Sequence, residues 1–324
     1  MRLSPPNYRT IGQSTALDIT YGGGEANVSI GLASLGMRAR HVSKFPETAT
    51  GRAAELFLRG SGISTEGTAI GGARLGLYFL EMGAAARPSK VTYDRAGSAF
   101  ALLDPADFDW EKILEGSTWF HWTGITPAIS QGAKEALLNA LQVCKAKGIT
   151  VSADLNYRKN LWKYGKTVKE VLPELISYTD IAIASKNDMK EVLEASVSLE
   201  NDKFLPVAQL FMQQYQGVKL IVNTKRESVS ANHNYLSGIA FNGSEVFETK
   251  KMEIVPIVDR IGGGDAFAAG FIYGMAQTFT IEKALQYGVA YSVLKHSVPG
   301  DANLATLADL EMVANGDTSG RLVR

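Results

Sequence analysis

The residues best equipped for chemistry lie in Asp259-Arg260-Ile261-Gly262-Gly263-Gly264-Asp265-Ala266-Phe267-Ala268-Ala269-Gly270. Three consecutive glycines are costly in any regular element, and a run of small, helix-compatible residues from Ala266 to Gly274 follows them directly. Glycine lets the backbone turn its N–H groups inward, and a helix start adds about half a positive charge. The tract therefore predicts an anion hole. A carboxylate beside such a hole, Asp265, suits general-base work. An aspartate after glycines can equally cap the helix, and the tract alone does not choose. A second tract, Gly22-Gly23-Gly24-Glu25-Ala26-Asn27-Val28, again runs glycines into a helix, with Asn27 one turn in and placed to hydrogen-bond a hydroxyl. Two such tracts could hold the two ends of one reaction.

Commoner motifs are incomplete. Gly165-Lys166-Thr167 looks like the end of a P-loop, but position 160 is Asn where glycine is required. Neither Gly262-x-Gly264, followed by Phe267, nor Gly22-x-Gly24, followed by Asn27, completes a dinucleotide fingerprint. The four histidines (His41, His121, His233, His296) are scattered and read as packing or surface residues. The single cysteine, Cys144, can form neither an intrachain disulfide nor a cysteine cluster and reads as a small core residue.

The 324 residues carry 33 basic and 33 acidic side chains, a net charge of zero. The basic stretches, such as Lys145 to Lys147 and Lys250-Lys251, are two charges deep, which argues against nucleic acid as a partner. No apolar run approaches the roughly 18 residues that span a bilayer, and the start has no apolar signal region. A cytoplasmic location is the expectation.

The elements that must position these tracts alternate in type. Helical periodicity marks residues 25–35, 51–59, 130–147, 168–178, 186–193, 206–216, 263–277 and 281–296, with short apolar strands at 41–43, 119–122, 149–153, 181–184 and 220–223 between several of them. This pattern predicts an α/β fold, a doubly wound, mostly parallel sheet that binds ligands at the carboxyl ends of its strands. Residues 66–98 break the rhythm: 75–81 and 90–93 are strand-like with no helix between, which predicts a small β-sheet lid. From Asn315 the chain is a polar tail.

The two glycine tracts resemble the N- and C-terminal signatures of the ribokinase-like (PfkB) carbohydrate kinases. Five blocks narrow the likeness to 2-keto-3-deoxygluconate kinases: residues 22–27 within the first tract, 91–99 (Val-Thr-Tyr-Asp-Arg-Ala-Gly-Ser-Ala), 123–128, 154–158 (Asp-Leu-Asn-Tyr-Arg) and 294–301 (Leu-Lys-His-Ser-Val-Pro-Gly-Asp). The resemblance implies a single kinase domain over 1–324 with a ribokinase-like fold, its lid built discontinuously from 1–20 and 67–98. It implies ATP and Mg²⁺ as cofactors, with a monovalent cation as an open third. A sugar acid would be the substrate and a homo-oligomer would form through the lid.

Carried over by residue, the resemblance makes Asp265 the base for the sugar's terminal hydroxyl, and Gly262, Gly263 and Gly264 the hole for the migrating phosphoryl group. Gly23, Gly24 and Asn27 would grip sugar hydroxyls, Tyr78 and Tyr93 would cover the sugar, and Asp301 would contact a hydroxyl. Arg95 and Arg158 would bind the keto acid's carboxylate, for which a guanidinium fork is suited; an ion pair with Asp94 or Asp154 is the competing reading. Asn156 and the loop Asn223–Ser228, with Thr224, Lys225 and Arg226, would contact nucleotide. Asp188 would keep the acidic role at the metal, although the family's Asn-x-x-Glu has become Ser185-Lys186-Asn187-Asp188. Members begin with an apolar strand before the segment that resembles Leu3-Ser4-Pro5-Pro6, so roughly ten residues are expected to be missing, leaving unpaired backbone and a slot that costs several kcal/mol. A neutral-sugar kinase (fructokinase or ribokinase type) and a catalytically impaired sugar- or nucleotide-binding regulator are the alternatives.

Overall fold

The structure is a computed structural model and describes residues 1–194 and 203–317. In chain order, strands β1 (Arg2–Ser4) and β2 (Asp18–Thr20) lead into helix α1 (Gly24–Ser34), then β3 (Lys44–Phe45), α2 (Ala49–Gly60), β4 (Ala69–Ile70), β5 (Leu77–Glu81) and β6 (Lys90–Asp94). A short α3 (Trp110–Ile113) precedes β7 (Trp119–Thr123), α4 (Ile125–Ile129), α5 (Gln131–Lys147), β8 (Thr150–Asp154), α6 (Val168–Ile176), β9 (Ile181–Ile183) and α7 (Lys186–Val192). The rest is α8 (Phe204–Gln214), β10 (Leu220–Ser230), β11 (His233–Phe241), β12 (Val246–Glu248), β13 (Met252–Ile254), α9 (Gly263–Ala276), α10 (Ile281–Lys295) and α11 (Leu307–Ala314). The expected tail begins after α11 and, past Asp317, lies outside the described residues. No helix among the described residues is long and apolar enough to cross a membrane.

Strands β7, β8, β9 and β10 pair in parallel in that order. Successive side chains on a strand face opposite ways, and the apolar runs split accordingly. Ile181, Ile183, Leu220 and Val222 enter one core with α1, α9, α10 and α11, whereas Ala182 and Ile221 enter a second core with α5 to α8. Buried residues on both faces make the sheet doubly wound. Cys144 lies in the second core, its thiol pushed up to about 12 by burial. The parallel rhythm ends where β10, expected to stop at Asn223, runs on to Ser230 and turns antiparallel into β11, which also carries β12 and β13. The expected nucleotide loop is therefore strand, because cross-strand pairing from Asn223↔Ile239 to Ser228↔Asn234 satisfies its backbone.

The second sheet, in order β2-β1-β5-β6, forms the lid from residues at the chain start and from 77–94. The strand expected at His41–Ser43 falls slightly later, at β3. Strand β7 ends the main sheet's ladder among the described residues. Along its free side a cavity of about 1110 Å³ runs from the mouth of the site, with Trp119, Phe120 and His121 on one wall and Val42, Ser43 and Phe45 on the other. His121 Nε2 is buried there with no hydrogen-bond partner, and burial holds the imidazole's pKa down near 4. Met1 lines the same cavity.

Candidate active site

Helices α1 and α9 lie side by side with their N-termini converging. Their closeness depends on small residues: a Cβ on Gly31 would stand 2.8 Å from that of Ala269. Both glycine tracts thereby reach one point. Asn27, 4% exposed, donates from Nδ2 to Asp265 Oδ2 at 2.7 Å, and its Oδ1 accepts from the Gly23 N–H at 3.4 Å. Its amide nitrogen is thus held by the Asp265 carboxylate. Gly24 borders the same space, since a Cβ there would lie 3.8 Å from Asp265 Oδ1. Glu25 ties α1 to the end of β7 by accepting from the Thr123 N–H, the Thr123 hydroxyl and the Thr126 hydroxyl at 2.7–3.0 Å. Burial pushes the Asp265 carboxyl up to about 7; the Asn27 hydrogen bond opposes that rise, Asp301 and Glu25 add to it, and Arg158 lowers it.

The turn before α9 has the form expected of an anion hole. Gly262 sits in the left-handed region at φ +79°, and a Cβ there would fall 1.7 Å from the carbonyl oxygen of Asp301. A Cβ on Gly263 would stand 2.6 Å from the His296 ring, whereas Gly264 faces open space. The turn is held from behind. Asp259 accepts from the N–H groups of Ile261 at 3.0 Å and Gly300 at 3.1 Å, and Ser292 donates to Gly263 O at 2.7 Å. Arg2, on β1, places Nη1 2.8 Å from both Asp259 and Asp301. The Tyr78 hydroxyl donates to the other Asp301 oxygen. Asp301, 2% exposed, thereby joins the lid to the glycine turn, and Tyr78 turns its hydroxyl to the same carboxylate.

The lid brings Arg95 over the mouth of the site. Its guanidinium stacks 4.4 Å above the Tyr93 ring, and Tyr93 and Tyr78 lie 6.2 Å apart. Asp94 is not its partner: it forms a two-pronged pair with Arg74 at 2.6 and 2.9 Å. Among the described residues Arg95 has no ion pair, and it lines the cavity together with Gly23, Gly24 and Tyr78. Partial desolvation lowers its pKa, with Tyr93, Tyr78 and Glu25 opposing. Arg158 is exposed and is felt by both Asp154 and Asp265.

On the nucleotide side the expected residues separate. Lys225 pairs with Glu248 at 2.5 Å on the surface. Neighbours on a strand face opposite ways, and Arg226 is felt by Arg260 and His296 beside the anion hole. Thr224 shares the face of Arg226, and Asn156 sits at φ +35° just past β8. Asp188 caps α7 through Ser185 and accepts from the Tyr157 N–H at 3.0 Å. Beside it Asp154, at the end of β8, is raised well above the carboxylate range by burial and then by Asp265 and Asp188.

A sequence profile described as "pfkB family carbohydrate kinase" matches residues 1–307. The chain belongs to the pfkB family of carbohydrate kinases. It is 32% identical over 320 residues to the 2-dehydro-3-deoxygalactonokinase of Haloferax volcanii, covering 99% of this chain and 95% of that one. The crystal structure of 2-dehydro-3-deoxygluconokinase from Thermotoga maritima superposes with a TM-score of 0.91 at 43% identity, over 97% of this chain and 95% of that one. The 5-dehydro-2-deoxygluconokinase of Bacillus licheniformis is 27% identical, over 94% of this chain and 89% of its own.

Sequence reasoning missed three members of this pfkB-family kinase's site. Arg2 has no local signal, because its partners stand more than 250 positions away. Asp259 and Asp154 fell inside tracts singled out for other residues; each follows an apolar run and precedes a turn, which is the available signal. In the uncomplexed protein, kcat/KM is expected to rise with pH through an apparent pKa near 7 as Asp265 ionises. Asn27→Ala removes the hydrogen bond that favours the ionised form, so its rising limb should move to higher pH. Asp265→Asn should lower turnover by about 10²-fold or more. Because folding raises the Asp265 pKa, ionisation destabilises the native state, so Asp265→Asn should also melt above wild type at pH 8, with the gap closing towards pH 5. Steady-state pH profiles and thermal melts check these four expectations.

Proposed function

We propose that this kinase phosphorylates 2-keto-3-deoxygluconate at its terminal hydroxyl, with ATP as the phosphoryl donor. The observation that carries the sugar acid is Arg95: a partly buried guanidinium with no carboxylate partner among the described residues, facing the cavity beside the glycines of α1. A desolvated cation of this kind favours an anionic ligand, and a carboxylate can take two of its N–H groups. Arg158, exposed beside Asp154 and Asp265, is a second candidate for the carboxylate.

Asp265, oriented by Asn27, accepts the proton of the terminal hydroxyl as the oxygen bonds to the γ-phosphorus and the bond to ADP breaks. The N–H groups of Gly262 to Gly264 and the α9 N-terminus receive the charge on the transferring group. Burial and the Asp265 and Asp188 carboxylates disfavour the ionised form of Asp154, an environment that suits a divalent cation, and Asp154 and Asp188 would hold Mg²⁺. Mg²⁺ would supply neutralisation of phosphate charge. Arg226, Thr224 and Asn156 flank the side from which nucleotide would approach. Strand β6, exposed along its length with Val91 and Tyr93, is read as the lid contact of a homo-oligomer.

A coupled ADP-release assay across 2-keto-3-deoxy acids derived from gluconate and galactonate, and across neutral hexoses, tests the reading. The gluconate-derived acid is expected to give the highest kcat/KM, and preference for a neutral hexose would overturn the proposal. Arg95→Ala should raise KM for the acid by about 10–100-fold, the worth of a charged hydrogen bond, with a smaller change in kcat.

A further inference from the structure

Behind the anion hole lies a lysine that the reaction above does not use. Lys295, the last residue of α10, is fully buried, and a buried ammonium is expensive unless its charge and its N–H groups are met. Its Nζ donates to two main-chain carbonyls, Val298 O at 3.1 Å and Asp259 O at 3.4 Å. These belong to the two loops that meet behind Gly262. The same loops are joined by the Val258 N–H donating to His296 O at 2.8 Å and the Gly300 N–H donating to Asp259 Oδ2 at 3.1 Å.

The charges in this region balance. Arg2 stands 2.8 Å from both Asp259 and Asp301, which are 1% and 2% exposed. Two buried carboxylates face two buried cations; burial lowers the Lys295 pKa, and both carboxylates oppose that by favouring its charged form. Without the ammonium, a net negative charge would sit directly behind N–H groups that have to receive a phosphoryl group. At low effective dielectric such a charge is poorly screened.

We propose that Lys295 is a positioning residue for phosphoryl transfer: its ammonium is a built-in cation that ties the Asp259–Gly263 turn to the 296–301 loop and cancels the carboxylates behind the anion hole, so that no free monovalent cation is needed. The proposal rests on the kinase reading and gives the open question of a monovalent cation a definite answer.

The test is ADP release by the full chain, with potassium exchanged for N-methylglucamine at constant ionic strength. Wild-type turnover is expected to be indifferent to the exchange. Lys295→Ala removes the charge and opens room for an ion; its kcat should fall about tenfold or more with the sugar KM little changed, and potassium, ammonium or methylamine should restore it several-fold. Lys295→Met fills the space without charge and should lose kcat with no restoration, while keeping a native circular-dichroism spectrum. A merely structural lysine would give a loss that cations do not relieve. Potassium dependence in the wild type, wild-type kcat in Lys295→Met, or an unrescued loss in a folded Lys295→Ala would overturn the proposal. If Lys295→Ala does not fold, the Lys295→Met kcat decides. If the wild type releases ADP with none of the sugars, the kinase reading fails separately. Calorimetric binding of a non-hydrolysable ATP analogue with Mg²⁺ then decides: weaker binding by Lys295→Ala that potassium restores supports the role, and equal binding ends it.

Discussion

Helices α1 and α9 can bring their N-termini to one point only because glycine and alanine line the contact. A side chain on Gly31 would collide with Ala269, one on Gly270 would meet the Tyr287 carbonyl oxygen at 2.7 Å, and one on Gly288 would meet Phe267. Helix α9 is thus wedged between α1 and α10, and Tyr291 closes the group by donating from its hydroxyl to Gly31 O at 3.1 Å. Every later feature of the site inherits this closeness: the Asn27–Asp265 hydrogen bond, the summed positive ends of two helices, and the burial that holds Asp265 near neutrality.

A chain with no net charge handles anions by local placement. The positive potential comes from two helix starts, from Arg95 under the lid and from Arg226 near the anion hole, whereas Lys225 is neutralised by Glu248 on the opposite face. The carboxylates are sorted likewise. Asp259 and Asp301 are paired with Arg2, and Asp154 is disfavoured as an anion by burial and by Asp265 and Asp188. One guanidinium, Arg2 on the first strand, therefore links lid, anion hole and the loop that ends in Asp301.

The helices of the doubly wound core were legible because their apolar spacing is a local property. Residues 130–147 differ from the observed α5 only at the capping Ser130, whose hydroxyl accepts from the Ala133 N–H at 3.2 Å. The antiparallel half was not legible. Asn223 to Ser228 is polar and reads as loop, and only its pairing with β11 makes it strand. Strands β1 and β2 were hidden for the same reason: three residues each, with no periodicity to show, and formed only against β5 and each other.

The sequence by itself determined that two glycine-opened helices exist, that Asp265 stands at the start of one and Asn27 within the first turn of the other, and that the chain belongs with sugar kinases. Only the tertiary structure decided what these groups do to one another. Asn27 and Asp265 are 238 positions apart, and nothing in the spacing of either tract says that the amide donates to the carboxylate. Likewise it is the pairing of Asp94 with Arg74 that leaves Arg95 without an ion pair among the described residues, and the packing of β1 and β5 that brings Arg2 and Tyr78 to Asp301. Residue type sets the charge a side chain can carry. Which partner meets that charge depends on which strands and helices pack together, and long-range packing leaves no periodic trace along the chain.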